Sequence, residues 1–155
     1  MFNVNNAKGP VSWILLMVGI AITVLYLVFA EPLITTFYIG TDTFADAMYD
    51  YDMYFVLASL MSIVVWIFAV LYYWVIDQIK LSSFVWWMLF GIFTAAIVPF
   101  IFFYYPLGVF LEENWNFEID LINLAIISLP FTLVYYFLIS FCIKSFSTNC
   151  STRPF

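Results

Sequence analysis

Four apolar runs, none interrupted by a charged residue, occupy positions 11–30, 53–76, 84–111 and 121–143. The shortest holds 20 residues, which as a helix rises roughly 30 Å, the thickness of a bilayer's hydrocarbon core. Four such runs predict an all-α membrane protein, a bundle of four transmembrane helices forming a single membrane domain over residues 1–155. A soluble fold does not compete. With 66% hydrophobic and 9% charged residues, the chain has too little polar surface to cover a core in water. Lipid is the implied solvent.

Glu31 and Pro32 close the first run, and Pro106-Leu107-Gly108 predicts that the third regular helix ends near residue 106. The expected spans are therefore 11–30, 53–76, 84–106 and 121–143, with loops at 31–52 and 107–120 and a tail at 144–155. The connection over 77–83 is just long enough to reverse direction, so the second and third spans form an antiparallel hairpin. Val28-Phe29-Ala30 has the small-residue pattern of a signal cleavage site, and cleavage there would leave three spans. The apolar run before it exceeds the about 7–15 residues of a signal core, which favours a retained helix.

Basic residues fix the expected orientation. Lys8, Lys80, Lys144 and Arg153 all fall on one side of a four-span arrangement. The other side receives Glu31, Asp42, Asp46, Asp50, Asp52, Glu112, Glu113, Glu118 and Asp120, with no base among them. By the positive-inside rule both termini are cytoplasmic and the two acidic loops lie outside, in a plasma or inner membrane. Tyr72, Tyr73, Trp74, Trp86, Trp87, Tyr135 and Tyr136 fit an aromatic belt at the cytoplasmic interface, and Tyr51, Tyr54, Tyr104, Tyr105 and Trp115 one at the other.

A weak internal similarity relates Leu71-Tyr72-Tyr73-Trp74-Val75-Ile76 to Val134-Tyr135-Tyr136-Phe137-Leu138-Ile139, each followed by Ile-Lys at 79–80 and 143–144. It suggests two parallel helical hairpins related by duplication, as in some transporters. A chain with 11 tyrosines placed by interface physics produces such matches without duplication as well.

The residues exclude most chemistry. There is no histidine, which removes the commonest general base and metal ligand. Cys142 and Cys150 are the only cysteines and do not form a C-x-x-C pair. No phosphate-binding glycine loop is present, and the sequon at Asn149-Cys150-Ser151 lies on the cytoplasmic side. No cofactor, metal or nucleic-acid partner is expected. Small four-helix multidrug exchangers have this size but require a carboxylate inside a helix, and these spans contain none.

Two features rise above this background. Asp42, Asp46 and Asp50 recur every four residues, with Phe44, Ala47 and Met48 between them. That spacing predicts a short amphipathic helix capped by Thr43, its acids in water and its apolar face at the acyl boundary. With Asp52, Glu112, Glu113, Glu118 and Asp120 it forms a candidate partner-binding surface, although it lacks the ligand pattern of a calcium loop. Pro99 and Pro130 are the second feature. Each frees a carbonyl four residues earlier, Ala95 and Ile126, and the polar side chains at hand are Thr94, Asn123, Ser128 and Thr132. Together they mark a candidate solute or kink site.

The expected function is a non-enzymatic integral membrane subunit or anchor of a larger assembly, with protein partners or a homo-oligomer in the bilayer. A small channel or carrier for a neutral or apolar solute is the alternative, and a continuous polar cavity would favour it.

Overall fold

The computed structural model describes residues 9–38, 40–76, 83–113 and 115–147. Lys8, Lys80, Cys150 and Arg153, and with them most of the basis for orientation, lie outside the described residues. Six α-helices account for nearly all of the described chain, with no strand among the described residues: α1 Pro10–Val28, α2 Ala30–Phe37, α3 Asp42–Asp50, α4 Met53–Val70, α5 Phe84–Glu112 and α6 Glu118–Ile143. Of these α1, α4, α5 and α6 are long and apolar enough to cross a membrane, the pattern of a multi-pass membrane protein.

Local chemistry sets most boundaries. Pro10 opens α1, where its missing N–H costs nothing and its φ suits the first turn. A break at Phe29 separates α1 from α2, and Tyr38 adopts an extended backbone that ends α2. Asp52 takes a left-handed conformation (φ 52°) between α3 and α4, which aspartate tolerates better than most residues. Ser83 caps α5 by accepting a hydrogen bond from the Trp86 amide at 3.4 Å. At its far end α4 widens into a π-helical turn, Leu71–Ile76, and α6 tightens into a 3₁₀ turn, Lys144–Phe146.

Two expected loops are structured differently. The Pro106-Leu107-Gly108 stretch does not end the third long helix, which continues to Glu112. Pro106 is buried, and the continuation carries Phe110 into a fully buried position against Phe44 and Phe117. The packing gain offsets the one lost backbone bond. Likewise 31–52 is mostly helix, holding nearly all of α2 and α3.

The interior lies among α4, α5 and α6, with α5 and α6 sharing the largest interface and α1 resting against α6 and α4. Gly19 lets α1 approach closely: a Cβ there would sit 3.0 Å from the Cys142 Cβ on α6. Most of the expected cytoplasmic aromatic belt is not at a surface. Tyr72, Tyr73, Trp87, Tyr135 and Tyr136 are buried, and only Trp86 of that set is exposed. On a helix apolar all round, hydropathy does not tell an inward tyrosine from an interfacial one. The two hairpins expected from duplication also differ: Tyr72 and Tyr73 sit in the π-helical turn, Tyr135 and Tyr136 in regular α-helix.

Candidate functional site

The chain topology brings the end of α1, the start of α4, the end of α5 and the start of α6 to one end of the molecule, the acidic end. There α3 presents Asp42, Asp46 and Asp50 to solvent while Phe44, Ala47 and Met48 are buried. Two parts of the expectation change. Thr41, not Thr43, occupies the capping position, and its side chain makes no cap bond. The apolar face is covered by protein instead of lipid, because Phe44 meets Phe110, Phe117 and Tyr38 edge-on, with centroids 5.3–6.1 Å apart.

The two acidic loops meet through the same aromatics. Tyr51 packs on Phe110 and Trp115, and its phenol is pushed above its ordinary value, first by desolvation and then by neighbouring Glu113. Asp46 and Asp50 line an open groove with Trp115, Asn116 and Phe117, and Glu31 and Asp52 line a second with Tyr49 and Tyr54. Asp52, Glu112, Glu113 and Glu118 are exposed. Asp120 differs from the others. Half-buried in the first turn of α6, it accepts hydrogen bonds from the Tyr38 hydroxyl at 2.6 Å and the Thr41 hydroxyl at 3.4 Å.

The two prolines do not form one site. Pro99 lines an open apolar groove between α5 and α6 with Phe100, Tyr104, Ile122 and Ile126, whereas Pro130 is exposed. Thr94 donates to the Phe90 carbonyl, Ser128 to Ala125 and Thr132 to Ser128, so none of these hydroxyls serves the carbonyls that the prolines free. Asn123 is exposed beside the Tyr38 hydroxyl. Ser128 lines a cavity shared with Tyr26, Ile34, Met61, Phe102 and Leu124. Its volume of about 20 Å³ has room for a single water.

The sequence reading misses the polar node that joins α1 to the rest. Thr23 on α1 accepts hydrogen bonds from the Trp66 indole at 2.9 Å and the Tyr135 hydroxyl at 2.7 Å, and donates to the Gly19 carbonyl at 3.0 Å. One hydroxyl thus ties together α1, α4 and α6. A lone threonine in an apolar run is the only trace the node leaves in the sequence. Comparison with known families, characterised proteins and solved structures finds no match for this chain.

Proposed function

We propose that this chain is a non-enzymatic integral membrane subunit or anchor. Its four long helices cross the bilayer as a bundle, with both termini cytoplasmic and the acidic end outside, in a plasma or inner membrane. The observation that carries the reading is the contrast between an interior with only a small cavity beside Ser128 and a charged end. Inside, the hydroxyls of Thr23, Thr94, Ser128 and Thr132 are satisfied within the protein, and the cavity beside Ser128 has room for one water. At the end, Asp42, Asp46, Asp50, Asp52, Glu112, Glu113 and Glu118 are exposed on elements held together by Phe44, Phe110 and Phe117. A fixed array of one sign recruits a partner of the opposite sign, here a protein with a basic extracytoplasmic surface. The carrier alternative needs a polar path through the bundle, and these hydroxyls and this cavity do not supply one.

Replacing Asp42, Asp46 and Asp50 together by asparagine tests the reading. The variant should insert normally, since acids contribute little to topology. Its co-purification with extracytoplasmic partners in mild detergent should weaken and lose salt dependence, because exposed charges are screened over about 8 Å at physiological ionic strength. Unchanged partners at unchanged salt sensitivity would refute it. Orientation has its own test: a cysteine at Thr41 should react with an impermeant thiol reagent from outside intact cells, and Cys150 should not.

A further inference from the structure

The acids of the acidic end are not all placed alike, and two of them share a groove with a tryptophan. Asp46 and Asp50 stand four residues apart on the exposed side of α3, which puts their carboxylates on successive turns of one face. They line an open groove of about 500 Å³ together with Trp115, Asn116 and Phe117 from the α5–α6 connection. The indole is held in place by Tyr51, Phe110 and Phe117, with ring centroids 5.7–6.1 Å away, yet Trp115 remains 38% exposed. Asp120 accepts hydrogen bonds from Tyr38 and Thr41, whereas the Asp46 and Asp50 carboxylates have no hydrogen bond or ion pair among the described residues. Lys144 is the one base among the described residues, and it lies at the opposite end of α6 from Phe117. The groove therefore combines two uncompensated carboxylates with a fixed aromatic surface.

We propose that this groove takes an arginine side chain from a protein partner at the acidic end. The assignment rests on the partner reading above, and adds to it a place and a chemistry of contact. A guanidinium is planar: it stacks on an indole face by cation–π attraction and donates its N–H groups to carboxylates in pairs. Both kinds of surface line this one groove. A lysine ammonium, compact and strongly hydrated, attracts the carboxylates but gains less from the ring. A divalent cation fits worse, since calcium takes about six to eight oxygen ligands and no group of three or more metal-ligating side chains gathers among the described residues. The second groove of the acidic end, about 260 Å³, pairs Glu31 and Asp52 with Tyr49 and Tyr54 but has no tryptophan, which makes it a charge-matched comparison.

The test uses the full chain in nanodiscs, labelled with 5-fluorotryptophan, with Trp115→Phe assigning the Trp115 fluorine resonance. The probes are arginine amide, lysine amide and calcium chloride, each titrated at about 0.15 M ionic strength. Arginine amide should shift the Trp115 resonance saturably, with an affinity about threefold or more above that of lysine amide. Asp46→Asn combined with Asp50→Asn should weaken its binding about fivefold, the loss of two exposed charge pairs. Glu31→Gln combined with Asp52→Asn removes the same charge from the same end and should change it less than about twofold, because screening confines each charge to its own groove. The remaining tryptophan resonances report folding in every variant. Equal affinity for the two amides overturns the assignment, and so does equal weakening by the two charge-matched pairs, which would leave only a diffuse negative field. Calcium that displaces arginine amide at constant ionic strength overturns it in favour of a cation site. The partner reading fails separately: co-purification untouched by the Asp42, Asp46 and Asp50 replacement, with arginine selectivity intact at Trp115 in the unaltered chain, would refute the partner and keep the guanidinium site.

Discussion

α1 and α6 are both long apolar helices able to cross a membrane, yet α1 buries two residues, Ser12 and Gly19, and α6 buries eleven. Their composition does not predict the difference, since lipid accepts either face equally well. What separates them is where close approach and hydrogen bonds occur. α6 packs along its whole length, through Leu121, Leu124, Tyr136, Ile139 and Ile143. α1 touches the bundle along one narrow line: Trp13 on Phe146, the Gly19 approach to Cys142, the Thr23 node and Tyr26 on Tyr135. In a bilayer, packing and a few polar contacts decide association, because exposed apolar surface carries no penalty.

This comparison makes ordered predictions for unfolding in a mild detergent titrated with a denaturing one. Tyr136→Ala should have the largest effect. The side chain is 1% exposed between Trp87 and the α5–α6 interface, so its removal should cost about 3–5 kcal/mol. Gly19→Leu should come next, at about 1–3 kcal/mol from overpacking against Cys142. If Gly19→Leu instead matches Tyr136→Ala, α1 is as integral as α6 and the contrast fails. Thr23→Val keeps shape but leaves the Trp66 indole and Tyr135 hydroxyl without their acceptor, at about 1–2 kcal/mol. Thr23→Ser should recover most of that loss, and failure to recover would assign the effect to the missing methyl group. Ser62→Ala should be smallest, within about 0.5 kcal/mol and on the stabilising side. Its buried hydroxyl has no hydrogen-bond partner among the described residues, so the substitution removes only an unmet polar group.

The acidic end was more legible than the interior. Asp42, Asp46 and Asp50 announce a helix by spacing alone, and they lie on the exposed side of α3. The partner of its apolar face was not legible, because the residues that cover Phe44 come from the far end of α5 and the start of α6. Pro106 misled for a related reason. Proline discourages helix locally, and only the distant Phe44 and Phe117 make continuation to Phe110 favourable. Tyr135 reads as interfacial in sequence, yet it is buried because Thr23, 112 positions away, offers an acceptor.

By itself the sequence determined that four helices are long and apolar enough to cross a membrane, and that acids cluster in two stretches, since length, hydropathy and charge are properties of contiguous residues. Tertiary structure alone decided which tyrosines turn inward, that Asp120 grips Tyr38 and Thr41, and that Thr23 anchors α1. Those outcomes depend on pairs of residues distant in the chain. On helices apolar around their whole circumference, no periodicity marks the face that will find its partner.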